Sequence, residues 1–165
     1  ILRGTGPTSW KLVDVTDSSG PAFQIKRVWR GMCFGDFDDD GDVDVFVAAL
    51  NDRAGLFRND GGNRNSFVRF RLVGKGGLRD PSGARVKVTM ADGAVQTMEL
   101  HHGASFCSDN DPRLFFGLGS MARVPKVEVV WPGGSVQTFT DVEARRAYVV
   151  EQGVDGLRPD RVDPR

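Results

Sequence analysis

Residues 35–45 read GDFDDDGDVDV, with aspartate at 36, 38, 39, 40, 42 and 44. Carboxylates crowded this closely raise one another's proton affinity, so the cluster is costly unless a cation offsets the repulsion. The spacing indicates which cation. Counted from Asp36, the side-chain oxygens of Asp36, Asp38, Asp40 and Asp44 stand at offsets 1, 3, 5 and 9, and Gly41 stands at 6. Hard oxygen ligands in that alternation, with glycine at the sharp turn, are what a calcium loop requires. Asp42, at offset 7, would contribute its backbone carbonyl. Asp39 and the Asp42 side chain would then face solvent. Magnesium asks for a tighter octahedron and keeps several waters, so it fits less well. A solvated acidic turn would need neither the alternation nor the glycine. The residues therefore predict calcium as cofactor, with Asp36, Asp38, Asp40, Asp42 and Asp44 as the metal residues.

The flanks exclude a helix-loop-helix hand. Offset 12 is Val47, where that motif needs a bidentate glutamate. VWRGMCF (28–34) precedes the loop and VDVFVAA (43–49) follows it, and both are strand-like. The loop is therefore expected between two strands.

Outward from the loop, short alternating runs are separated by turn clusters. Strands are expected at 10–15, 23–29, 43–50, 56–58 and 67–73, with Asn59-Asp-Gly-Gly as a strong turn signal. In the last of these, Phe67, Arg69 and Arg71 share one side, and Val68, Phe70 and Leu72 the other. Residues 74–83 hold four glycines, a proline and few apolar residues, which marks a boundary. Strands resume at 84–90, 95–100, 114–116, 126–131, 136–139 and 146–151. The hairpins at 84–100 and 126–139 echo each other, each ending in Val-Gln-Thr. One helical turn fits at 141–147, and nothing supports a long amphipathic helix. Residues 153–165 have little to bury and read as a mobile tail or linker. The pattern is all-β.

Twenty-two basic residues balance twenty-two acidic ones. No basic surplus points to nucleic acid, and no apolar run reaches membrane-spanning length. Cys33 and Cys107 lie far apart; a disulfide and two free thiols both fit. A loop of this charge suits the millimolar calcium found outside cells, which favours a secreted, periplasmic or extracellular setting.

Chemistry elsewhere is sparse. His101, His102, Cys107 and Asp109 lie close in sequence within a long polar loop, 101–112. They are weak catalytic candidates, with no paired-cysteine spacing for zinc and no nucleophile elbow. Neighbouring histidines on a strand would face opposite ways. The glycines lack phosphate-loop spacing. Trp10, Trp29 and Trp131 read as core or interface anchors, and a carbohydrate partner has no residue pattern to support it.

GDFDDDGDVDVFVA (35–48), followed by LFRNDGG (56–62), resembles one blade of an FG-GAP or VCBS-type calcium-binding β-propeller. DVTDSSG (14–20) resembles the start of such a blade. GARVKVTMADG (83–93), RLFFGLG (113–119) and VEVVWPGGSVQTF (127–139) resemble the ASPIC/UnbV domain. That combination occurs in secreted bacterial proteins and in the cartilage acidic protein-like family. This chain departs from the family pattern at Cys107 and at Phe115, where a histidine is frequent. The resemblance implies one propeller-type blade, a partial propeller, at 1–73, a linker at 74–83, a small antiparallel β domain at 84–152, and the tail at 153–165. It implies a calcium-stabilised, exported binding or assembly module, the C-terminal part or a subunit of a larger propeller-containing protein. The alternative is part of a calcium-dependent enzyme with a polar site in the 101–112 loop. A blade normally packs both faces on neighbours. Phe37, Val43, Val45, Val47, Leu56, Phe57, Val68, Phe70 and Leu72 are more apolar residues than one four-stranded sheet can cover. The first segment is therefore expected to dock on another propeller polypeptide or subunit.

Overall fold

The computed structural model describes residues 2–4, 11–76, 79–104 and 106–160. Valine- and phenylalanine-rich runs with period-two alternation fit a pleated, half-buried surface. They form β1 (Leu2–Gly4), β2 (Leu12–Asp14), β3 (Trp29–Gly35), β4 (Asp44–Ala49), β5 (Gly55–Phe57), β6 (Ser66–Val73), β7 (Arg85–Thr89), β8 (Val95–Glu99), β9 (Leu114–Gly119), β10 (Arg123–Val130), β11 (Val136–Glu143), β12 (Arg146–Glu151) and β13 (Arg158–Pro159). Single 3-10 turns stand at Thr16–Ser18, Pro21–Gln24 and Gly62–Arg64. No helix among the described residues is long and apolar enough to cross a membrane.

The strands make a β1-β2 pair, a three-stranded sheet β3-β4-β5, and two four-stranded sheets, β11-β10-β7-β8 and β13-β12-β6-β9. None closes into a barrel. The architecture is all-β and matches a partial blade followed by a small antiparallel domain. The one parallel pairing among the described strands joins β6 to β12.

The two four-stranded sheets share one core. β6 gives it Val68, Phe70 and Leu72; β7 gives Val86 and Val88; β9 gives Leu114, Phe116 and Leu118; β10 gives Val124, Val127 and Val129. Trp131, at the end of β10, is 2% exposed within it. Phe70 sits edge-on to Phe116 and stacks on Tyr148, with centroids 6.1 Å apart in each case. Burying a side chain of this size contributes about 1.5–3 kcal/mol.

The three-stranded sheet is less covered. Register puts Met32 and Phe34 on one face and Phe46 and Leu56 on the other, and all four are exposed. Val47 is buried, and Phe57 packs against Trp29 (5.9 Å) and Phe23 (5.7 Å).

Several expectations change. From alternation alone 23–29 should be a strand; only Trp29 is in one, as the first residue of β3, and before it stand the 3-10 turn Pro21–Gln24 and a connection whose Val28 carbonyl accepts from the Leu50 amide (2.9 Å). Gly20 (φ 105°) and Pro21 set that turn, and Phe23 is used to pack on Phe57. β11 continues to Glu143, so 141–147 holds no helical turn. Residues 67–73 stand next to the acidic loop in sequence, but β6 is hydrogen-bonded to β9 and β12. Val68, Phe70 and Leu72 are therefore covered within this chain, because they fill the core between the two four-stranded sheets. In the segment expected as a tail, Arg158–Pro159 pairs with β12, and Asp160 accepts hydrogen bonds from Arg71 (Nη2, 2.7 Å). Trp10 and residues 161–165 lie outside the described residues, as do positions 77–78 of the expected linker.

Candidate metal centre

The acidic loop joins β3 to β4 and bends back on itself. One carboxylate oxygen each of Asp36, Asp38 and Asp40 lies within 4.8 Å of the others. The turn is closed by the Gly41 amide donating to Asp36 Oδ2 (3.1 Å) and the Asp42 amide donating to Asp40 Oδ1 (3.1 Å). Gly41 has φ 98°, and a Cβ there would lie 2.3 Å from the Phe67 ring. Only glycine tolerates both the conformation and the contact. Phe67 stacks on Phe115 of β9 at 5.2 Å, so the loop rests on the outer face of the β6-β9 pair.

The other two predicted metal residues hold the loop's frame. Asp44 Oδ2 accepts from the Phe37 amide (3.1 Å) and Oδ1 from the Asn59 amide (2.8 Å). Asp42 Oδ2 accepts from the amides of Gly62 (3.0 Å) and Asn63 (3.1 Å). Asn63 Nδ2 donates to Asp40 Oδ2 (2.9 Å). The glycine turn at 59–62 thus folds over the loop and clamps it.

A cation fits this set. Asp36 Oδ1 and Asp42 Oδ1 are buried and accept no hydrogen bond among the described residues. An unsatisfied buried carboxylate oxygen costs free energy. Burial pushes both the Asp36 and the Asp42 carboxyls above the usual carboxylate range; Arg69 pulls Asp36 back only in part. A hard divalent ion beside the converging oxygens would give the Asp36 carboxylate a partner and offset the mutual repulsion of the three. The tri-aspartate cluster can coordinate such an ion, calcium included.

Asp39 is exposed, as expected, but it is also ion-paired, and the Asp42 side chain is buried. Asp39 takes left-handed backbone (φ 57°) and turns away from the cluster. Its Oδ1 accepts from Arg69 Nη2 (2.8 Å) and Arg113 Nη1 (3.0 Å). Arg69, 4% exposed on β6, also donates through Nη1 to Asp36 Oδ2 (2.7 Å). Arg113 donates through Nη2 to the Asp36 carbonyl (3.0 Å) and through Nε to Asp111 (2.7 Å). Desolvation would ease a proton off Arg113, but Asp111 and Asp39 more than offset it and keep it charged. The two arginines form part of the wall of a cleft of about 270 Å³ that Phe34, Val43, Met98 and Phe115 complete.

Neither arginine stands out in the sequence as a site residue, and nor do Asn59 and Asn63. For Arg69 a signal existed: alternation puts it on the face opposite the core, where an acidic loop must be met.

Of the weak catalytic candidates, His102 and Asp109 meet, and His101 and Cys107 stand apart from them. His102 Nδ1 contacts Asp109 Oδ2 (2.5 Å) and its Nε2 contacts Asp80 Oδ2 (2.7 Å). Both contacts are hydrogen bonds only when the ring carries both protons, and the bond to Asp109 raises its pKa accordingly. His101 Nδ1 reaches the Glu99 carbonyl oxygen (3.1 Å). Cys107 is exposed with φ 48°, Cys33 is half-buried, and both thiols are free.

None of the curated proteins compared matches the chain. The profile of the ASPIC and UnbV family matches residues 74–156, half of the sequence. The matched segment runs from β7 through β12, most of the two-sheet core, and includes Arg113; the acidic loop lies before it. By that match, the chain belongs to the ASPIC and UnbV family.

Proposed function

We propose that the chain is a calcium-stabilised, exported binding or assembly module within a larger propeller-containing assembly. The observation that carries the reading is the buried, unpartnered Asp36 Oδ1, in a carboxylate that converges with Asp38 and Asp40. Asp36, Asp38 and Asp40 hold the ion, and Asp44 and the Asp42 carbonyl complete the set. The ion supplies charge neutralisation and a fixed loop; the glycine turn and the two arginines hold the frame around it. The segment before β6 acts as an FG-GAP/VCBS-type blade, and the residues after it as the ASPIC/UnbV domain. Apolar side chains left exposed on both faces of β3-β4-β5 favour neighbouring blades as the partner. Calcium at millimolar concentration, as outside cells, suits a loop of this type.

Calcium titration of the chelator-treated chain by calorimetry tests this. One calcium per chain is expected, with a higher melting temperature in calcium than in chelator. At a calcium concentration 100 times Kd the stabilisation is about 2.7 kcal/mol. Asp38→Asn, exposed and outside the internal hydrogen bonds of the loop, should weaken binding while leaving the fold intact. Absence of a stoichiometric ion, or equal melting in calcium and chelator, would refute the reading.

A further inference from the structure

The carboxylates along 36–40 divide by direction. Those of Asp36, Asp38 and Asp40 converge within 4.8 Å, while Asp39 points to Arg69 and Arg113. Beyond Arg113 the contacts continue. Its Nε holds Asp111, the Asp111 amide donates to the Phe34 carbonyl (2.9 Å), and the Phe34 amide donates to Asn110 Oδ1 (3.0 Å). Residues 106–111 thereby lie along β3, the outer strand of the three-stranded sheet. Gly31 makes the approach possible: a Cβ there would lie 2.0 Å from Ser108 Oγ and 2.3 Å from the Phe106 carbonyl oxygen. An unbroken run of contacts joins the metal cluster, through Arg113, to the loop covering that strand.

We infer that calcium in the acidic loop controls the docking of residues 106–111 on β3, with Arg113 as the link. This rests on the calcium reading above. Without an ion the three converging carboxylates repel, and the relief available to them is to spread. Spreading moves Asp39 and the Asp36 carbonyl, the two acceptors that hold Arg113 against the loop. Arg113 is then left with Asp111 alone, and the grip that sets Asp111 and Asn110 against Phe34 loosens. With the ion bound, both acceptors are fixed. Linkage makes the effect reciprocal: docking of 106–111 raises calcium affinity by the same factor that calcium raises docking.

The sign of one substitution separates this from simple charge. Arg113 is a cation near a cation site. As a repelling charge alone, its removal tightens calcium binding; as the link, its removal weakens it.

The test is hydrogen exchange of the full chain in calcium and in chelator, with calcium titrations of the wild type and Arg113→Gln. Protection at 106–111, the Asp111 amide above all, should rise about fivefold or more with calcium, the low end of ordinary coupling. Amides of β7 and β10 should change less. In Arg113→Gln the calcium dependence of 106–111 should vanish and calcium affinity should fall about fivefold. Tighter calcium binding by Arg113→Gln overturns the inference. So does a wild type that binds one calcium with unchanged exchange at 106–111, and that result leaves the calcium reading standing. A wild type that takes up no calcium overturns both. Where Arg113→Gln fails to fold, the wild-type comparison in calcium and chelator decides alone.

Discussion

Arg69→Met should cost about 3 kcal/mol of stability in calcium-free buffer. The Arg69 side chain is 5% exposed and that of Asp36 1%, at 2.7 Å. Removing one member of a buried ion pair costs about 3–5 kcal/mol, because the other charge is left buried and alone. Burial this complete leaves no solvent screening to discount. Two features place the value at the lower end. Arg69 Nε has no acceptor among the described residues, so methionine removes one unsatisfied donor. Asp39 keeps Arg113 as a partner and is itself 27% exposed. Methionine preserves most of the packed stem. Urea unfolding in chelator is the assay; with a slope near 2 kcal/mol per M, the midpoint should fall by about 1.5 M. Calcium should restore part of the loss, since the ion replaces the missing counter-charge on Asp36. A variant within about 1 kcal/mol of wild type in chelator would refute the reasoning, because Asp36 would then have no need of a buried counter-ion.

Phe116→Ala should cost about 3–5 kcal/mol by the same assay, since Phe116 is 1% exposed between the four-stranded sheets and its loss leaves a cavity; a loss under about 1 kcal/mol would mean that the two sheets do not share a core. His102 should make stability fall as pH rises. Its folded pKa is raised by Asp109 and Asp80 above the ordinary 6.5, so its contribution is complete below about 6.5 and is lost as pH climbs through the folded value. His102→Asn should flatten the fall of the urea midpoint as pH rises above the ordinary histidine range, and a variant with the wild-type profile would count against the Asp80–His102–Asp109 bridge.

Strand positions were legible because period-two burial is a local signal. Val68, Phe70 and Leu72 alternate with Phe67, Arg69 and Arg71, and the core takes the first set. Which strands pair is not local. β6 lies three residues beyond the 59–62 turn, so proximity assigns it to the acidic-loop sheet. Its partners are β9, more than forty residues on, and β12, a further thirty on in parallel register. Nothing in the alternation of 67–73 distinguishes those partners from β5. Residues 23–28 fail the other way: their alternation is real, but Gly20-Pro21 starts a 3-10 turn, and strand pairing begins only at Trp29.

The candidate site divides in the same manner. Ligand spacing in 36–40 is a property of five consecutive residues, so the convergence of Asp36, Asp38 and Asp40 could be read directly. The fate of Asp39 could not, because its partners lie 30 and 74 residues away. The sequence rule that odd residues of an alternating loop face water assumes nothing else approaches. Here a sheet does, and it brings arginine. Two guanidiniums cannot balance six carboxylates, so their placement matters more than their number. Both sit on the Asp39 side, and the orphaned Asp36 oxygen remains without one. Arg69 supplies counter-charge to Asp36 from behind the loop, through Oδ2, while among the described residues Asp36 Oδ1, Asp38 and Asp40 have no arginine against them. A loop stabilised only to be acidic would place its arginines against Asp38 and Asp40; this arrangement suits a loop whose front is kept for an ion.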